Sequence, residues 1–326
     1  MALPEIRDTY TGKINTVTIG ATAAEGGTRS SVVRIGGHTT LPFMHFEGET
    51  RPPAIAFEVP DTAPEGNEWP EAALEPFKDV AGDPVAWAKR CVEQFKADMI
   101  CLRLLSTHPD RGNASPEKAR ETARAVRDAV KVPLMIWGCD DDPKDNAVMP
   151  VVSQALAGER CLLGMATQEN YKTLAAGCLA DGHLILGLSP LDINIAKQVN
   201  ILITDMGLPA DRIVMYPTTG GLGYGLEYTY SIMERGRLAA LAGDKMMSMP
   251  VLCDVGSESW RAKEARASDA EAPQWGPARE RGILWEAVTA VSFLQAGADI
   301  LLLRHPKAAE VVRSTLETLM AGRKAS

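Results

Sequence analysis

What this 326-residue chain lacks narrows its roles before any motif is read. Its six cysteines stand at positions 91, 101, 139, 161, 178 and 253, so no CxxC pair or cluster-forming run exists. The chain by itself is expected to hold no iron–sulfur cluster. Most of the thiols lie among aliphatic neighbours, as in Met99-Ile100-Cys101-Leu102, which is how a reduced, buried cysteine reads. No apolar run approaches the roughly 20 residues needed to span a bilayer. No Lys/Arg block exceeds two residues, and 42 acidic side chains outnumber 34 basic ones. Phosphate binding needs concentrated positive charge, so neither nucleic acid nor an anionic membrane is an expected partner. The start, Met1-Ala2-Leu3-Pro4-Glu5, has no basic flank or apolar signal stretch, which points to a cytoplasmic address.

What is present is an alternation of short apolar runs with amphipathic stretches, and it counts to eight. The runs begin near Ile55, Asp98, Pro133, Cys161, His183, Arg212, Met249 and Asp299. Their hydrophobicity is continuous, which marks strands covered on both faces and therefore parallel. Helix starts follow, with Pro at the first helical position in Asp83-Pro84, Ser115-Pro116, Asp142-Pro143, Ser189-Pro190 and His305-Pro306. The first strand start lies close to 250 residues before the last, the usual span of a (β/α)8 barrel. Residues 55–326 are read as that barrel. Residues 1–54 carry two β-branched runs, Ile14 to Ile19 and Ser31 to Ile35, around Gly26-Gly27, and are read as an antiparallel hairpin extension that caps the barrel bottom or meets a partner.

In such a barrel, chemistry sits at the carboxyl ends of the strands. The groups there are Glu58; Arg103, Ser106 and His108; Trp137 to Asp142; Thr167 to Asn170; Ser189 to Asn194; Tyr216 to Gly225; Asp254 to Glu258; and Arg304-His305. Helix capping accounts for Ser115, Asp142 and Ser189, and a capping or hydrogen-bonding role accounts for His108 and His305. Three consecutive carboxylates, Asp140 to Asp142, cannot all face one ion without a bent backbone. The glycines of Thr218-Thr219-Gly220-Gly221-Leu222-Gly223 fit neither a dinucleotide fingerprint nor a P-loop. They suit close backbone approach to a bulky partner, with Tyr216, Tyr224 and Tyr228 as flat contact surface. Two connections, about 23 residues from Asp61 and about 25 from Asp254, are far longer than the usual four to six. They carry Trp69, Trp260 and Trp275, which either dock against another surface or pack back on the barrel. Asp181-Gly182-His183 begins like a cobalt-binding DxHxxG signature, but Leu186 replaces the glycine and His183 opens a strand at the opposite face.

The strand-end stretches Ile136 to Pro143, Ala166 to Lys172, Ser189 to Asn194 and Tyr216 to Gly225, taken together, resemble the small subunit of the bacterial corrinoid iron–sulfur protein, the counterpart of the delta subunit of acetyl-CoA decarbonylase/synthase complexes. The resemblance runs over nearly the whole chain. It implies a barrel paired with a large subunit that holds the [4Fe-4S] cluster and the main corrinoid domain, with the corrinoid (cobamide) at the interface. It further implies a methyl carrier between a methyltetrahydrofolate methyltransferase and acetyl-CoA synthase/carbon monoxide dehydrogenase, in the reductive acetyl-CoA (Wood–Ljungdahl) route of carbon fixation. The chain would then be a non-catalytic subunit, with no catalytic residue and no metal ligand of its own.

Groups available to hydrogen-bond the corrinoid's peripheral amides are the side chains of Asn170, Thr218 and Arg304 and the backbone at Thr219, Gly220 and Gly221. The rival is a pterin-binding methyltransferase that would recruit Asp140, Asn170, Asp192 and Asn194. A metal-dependent aldolase-like barrel using Glu58 and His305 has little motif support.

Overall fold

Runs of Leu, Ile, Met and Val that need cover on both faces form the centre of the fold. The computed structural model describes residues 10–39, 51–66 and 68–321, so residues 1–9 and 40–50 of the N-terminal extension lie outside the described residues. The strands are β1 (Val17–Ile19), β2 (Val33–Ile35), β3 (Ala54–Pro60), β4 (Met99–Arg103), β5 (Leu134–Trp137), β6 (Leu162–Ala166), β7 (Leu184–Leu188), β8 (Ile213–Tyr216), β9 (Leu252–Asp254) and β10 (Ile300–Leu303). The helices are α1 (Glu71–Leu74), α2 (Pro84–Glu93), α3 (Pro116–Ala129), α4 (Asp142–Ala155), α5 (Tyr171–Asp181), α6 (Ile193–Asp205), α7 (Leu226–Leu241), α8 (Val255–Arg261), α9 (Lys263–Arg266), α10 (Ala278–Ala296) and α11 (Pro306–Ala321).

All eight expected barrel strands are present. They pair in parallel in the order β8-β7-β6-β5-β4-β3-β10-β9, and a bridge between Met215 and Val251 draws the two edge strands together. The Met215 N–H donates to the Pro250 carbonyl at 2.8 Å across that seam. Side chains alternate along each strand. Ile55, Phe57, Ile100, Leu102, Leu301 and Leu303 face the helix layer, whereas Ala54, Ala56, Met99, Cys101, Ile300 and Leu302 fill the interior.

The hairpin forms as expected, with Val17 opposite Ile35 and Ile19 opposite Val33. Val17, Ile19 and Ile35 join the interior cluster beside Ala54, Met99, Leu162 and Ile300, the residues nearest the amino ends of the strands, so the hairpin closes the bottom of the barrel. Gly36 makes its return possible. Its φ is +74°, and a Cβ there would collide with the Asn15 carbonyl. Arg29 then anchors the hairpin: its Nε donates to Glu159 at 2.9 Å, and its Nη atoms donate to the carbonyls of Val130, Val132 and Arg127.

Local signals hold in part. Asp83 and Ser115 cap α2 and α3 as read. Two capping assignments need correction. Asp141, rather than Asp142, caps α4, because Asp142 already lies in the first helical turn. Ser189 caps nothing; the chain continues to Asp192, whose carboxylate accepts from the N–H groups of Asn194 and Ile195 to start α6. The six cysteines are free and buried, and burial pushes Cys161 and Cys178 up to about 12. The long loops are not arrays of docking tryptophans. Trp69 packs edge-on against Phe77 and Trp87, at 6.1 and 5.1 Å between ring centres, and Trp260 is fully buried. Trp275 does face solvent, beside Arg281.

Candidate binding mouth

The inward alternation brings a polar or aromatic residue to the carboxyl end of six of the eight barrel strands. Glu58, Arg103, Trp137, Tyr216, Asp254 and Arg304 form a ring there, beneath a cavity of about 570 Å³. Leu105, Met165 and Leu188 contribute apolar lining to the cavity, and Glu258, Arg261 and Arg266 contribute charged lining.

At the floor, Glu58 is held by two guanidinium groups. Arg304 engages both carboxylate oxygens, Nε to Oε2 at 2.7 Å and Nη2 to Oε1 at 3.1 Å, and Arg103 reaches Oε1 at 3.3 Å. Burial pushes the Glu58 carboxyl up, but the two cations outweigh it and hold the group below its ordinary value. Each cation is also stacked on an indole, Arg103 over Trp137 and Arg304 over Trp69, both 4.5 Å from the ring centre. Arg103 lies 3.5 Å from Asp254, which burial pushes up to about 6 against the pull of Arg103.

Behind the floor stands a residue that sequence reading missed. Glu286, in the middle of α10, is fully buried. Its carboxylate accepts from the backbone N–H of Arg304 at 2.6 Å, from that of His305 at 3.1 Å and from Trp260 Nε1 at 2.6 Å. Burial raises it to about 7. A carboxylate raised in this way holds its proton in the folded chain at a pH where the unfolded chain has lost it. Glu286 and Asp254 therefore contribute stability that is full below their ordinary values of 4.5 and 3.8 and is lost as pH rises to about 7 and 6. We expect the contribution of Glu286 to the unfolding free energy, measured by urea unfolding, to fall by up to ~1.4 kcal/mol per pH unit in that window. Glu286→Gln should flatten the slope; an unchanged slope would contradict the assignment. Glu58 acts in the opposite sense, losing its contribution as pH falls on the acid side.

Of the residues expected from sequence to meet a corrinoid, Arg304 and Thr218 line the mouth, together with the strand-end groups Glu58, Arg103, Trp137, Asp140, Tyr216, Asp254, Ser257 and Glu258. Thr218 adopts a φ of 61° and donates its hydroxyl to the Ser189 carbonyl at 2.8 Å. The others serve the loops around it. Asn170 is buried, donating to Asp142 Oδ1 at 2.8 Å and to the Met165 carbonyl at 3.0 Å while its oxygen accepts from the Thr167 N–H. The Thr219 hydroxyl accepts from the Asp254 N–H, and the Gly220 N–H donates to Thr229. Gly221 lines a separate side pocket of about 430 Å³ with Tyr224, Glu258 and Arg261.

The three carboxylates of Asp140 to Asp142 diverge, to the Trp137 indole, the α4 amino end and Asn170 respectively. Tyr216 is buried against Trp137, while Tyr224 and Tyr228 are exposed. His108 and His305 accept from the N–H groups of Asp110 and Lys307. His183, far from the mouth, accepts from the Cys161 N–H. Among the described residues there is no group of three His, Cys, Asp or Glu side chains that could hold a metal ion, and no helix long and apolar enough to cross a membrane.

A parallel eight-stranded barrel whose strand-end side chains pair with one another around an open cavity defines the chain as a TIM barrel. The particular lineage follows from comparison: residues 16–318 match the family described as CO dehydrogenase/acetyl-CoA synthase delta subunit, and the chain belongs to that family. It is 38% identical over 313 residues to the acetyl-CoA decarbonylase/synthase complex subunit delta of Methanopyrus kandleri, covering 96% of this chain and 76% of that one. It is 35% identical over 319 residues to the subunit delta of Archaeoglobus fulgidus, covering 96% and 70%. The resemblance read from the strand-end motifs is thus borne out.

Among solved structures, a dihydropteroate synthase of Coxiella burnetii in complex with pteroic acid aligns with a TM-score of 0.56 at 14% identity, over 84% of this chain and 94% of that one. One of Xanthomonas albilineans with 4-aminobenzoic acid gives 0.55 at 15%, with the same coverage. These share the barrel architecture.

Proposed function

We propose that this chain is the small subunit of a corrinoid iron–sulfur methyl carrier, and that its barrel mouth covers one face of a corrinoid carried mainly by a larger, cluster-bearing subunit. When bound, the corrinoid supplies a cobalt centre that takes a methyl group from methyltetrahydrofolate, through a methyltransferase, and gives it to acetyl-CoA synthase. The observation that carries this reading, beside family membership, is the make-up of the mouth. It is broad and open, its cationic donors are fixed in advance by Glu58, and part of its lining is apolar. That combination suits a flat, amide-fringed macrocycle: Arg304, Arg103 and Thr218 offer donors or polar contact to peripheral amides, and Leu105, Met165 and Leu188 keep water from the covered face. Asn170, Thr219 and Gly220 enter this reading as supports of the loops, since their polar groups are already engaged within the chain.

The pterin-binding methyltransferase is not favoured. Its candidate groups do not converge: Asp140 lines the mouth, accepting from the Trp137 indole, but Asn170 is turned to Asp142, Asp192 caps α6, and Asn194 lies exposed at the first turn of that helix.

The test is expression of the chain alone and with a cluster-bearing subunit. The chain alone should be colourless, and the complex should show corrinoid and iron–sulfur absorption. Cobalt(I) in the complex should survive oxidant at least several times longer than in the large subunit alone. Equal lifetimes would sink the covering role, and tight binding of methyltetrahydrofolate by the isolated chain would restore the rival.

A further inference from the structure

Glu286 lies outside the mouth, yet it touches two of the pieces from which the mouth is built. One carboxylate oxygen takes the N–H of Arg304, at the end of β10. The other takes the Trp260 indole, which belongs to α8, the rim helix that brings Ser257, Glu258 and Arg261 to the cavity. The fit at this junction is close: a Cβ on Gly282, one turn before Glu286 in α10, would collide with the Trp260 ring. The Arg304 side chain in turn clamps Glu58, covers Trp69 and donates to the Glu68 carbonyl at 2.8 Å.

We infer that Glu286 is the positioning residue of the mouth: it ties the end of β10 to the rim helix, and it acts on the floor through Arg304. The reason is geometric. A strand end and a following helix are joined by backbone that swivels, and an arginine at that swivel is aimed by whatever fixes its own N–H. The buried carboxylate, an acceptor on both oxygens, fixes that N–H and the rim helix at once. The inference concerns the floor itself and stands whatever the mouth binds.

The charged and titratable groups around Glu286 are Arg304 and His305 at the β10 end, and from α8 it meets the neutral indole of Trp260. His305 is held down to about 4, chiefly by burial and then by Arg279 and Lys307, so it is neutral where Glu286 titrates. Protonating Glu286 turns one oxygen from acceptor to donor in a nest of donors, which disturbs the same contacts as an amide at that position.

The experiment follows the indole N–H resonances of the full chain by NMR, assigned with Trp260→Phe and Trp69→Phe. Between pH 5.5 and 8.5 the Trp260 and Trp69 signals should move together with a midpoint of about 7. Trp69 has no hydrogen bond to Glu286 and reports through the Arg304 stack. Glu286→Gln should abolish the pH response of both and shift Trp69 at fixed pH. In an Arg304→Lys background, Glu286→Gln should no longer shift Trp69. A Trp260 signal that titrates while Trp69 stays still, or a Trp69 shift that survives Arg304→Lys, would overturn the inference. If the glutamine variant fails to fold, the wild-type titration and its Arg304→Lys counterpart decide the matter alone.

Discussion

Glu58→Ala is expected to lower the unfolding free energy by about 3–5 kcal/mol, because it leaves buried guanidinium groups without their shared carboxylate. Arg304 loses both of its bonds to Glu58, and Arg103 keeps only the longer contact to Asp254. The cost comes from the uncompensated charge rather than from the worth of the pair. A double replacement, Glu58→Leu with Arg304→Met, should therefore recover much of the loss, as apolar side chains of similar volume often do. Urea unfolding followed by circular dichroism measures both. A loss below about 1 kcal/mol in the single variant would mean that water reaches the floor and screens it, as at an exposed pair.

Arg29→Ala should be of similar size, about 3–5 kcal/mol, at the other end of the barrel. Arg29 is wholly buried against Glu159, and its removal also strips donors from three backbone carbonyls. The effect should be local before it is global. In hydrogen exchange, the amides of β1 and β2 should lose protection well before those of β7, since the hairpin has one antiparallel pairing of three residues and leans on this anchor. Uniform loss of protection across hairpin and barrel would show that the two open as one unit instead.

The barrel was legible because its strands announce themselves. Ile300 to Leu303 or Leu134 to Trp137 can only be covered on both faces, and eight such runs leave few topologies. Arg304 and Thr218 were legible as strand-end residues, and the family was legible in the combination of those loops. Other features depend on one extra residue or on distant sequence. Asp141 and Asp142 are both acids before a proline, and only the backbone angle decides which caps α4. The Ser189-Pro190 pair looks like a helix start, but α6 waits three residues for Asp192. Whether Trp69 and Trp260 dock or pack back stayed open in the sequence because loop length is visible there and the surface onto which a loop folds is not. Glu286 was hidden most thoroughly: a glutamate in mid-helix reads as solvated, and its partners lie 18 to 26 positions away along the chain.

The hairpin that plugs the barrel floor has one more consequence. With Val17, Ile19 and Ile35 packed into the lower end and side chains filling the interior above them, the described residues leave no passage through the barrel, so a group bound as proposed would enter and leave the mouth by the same face.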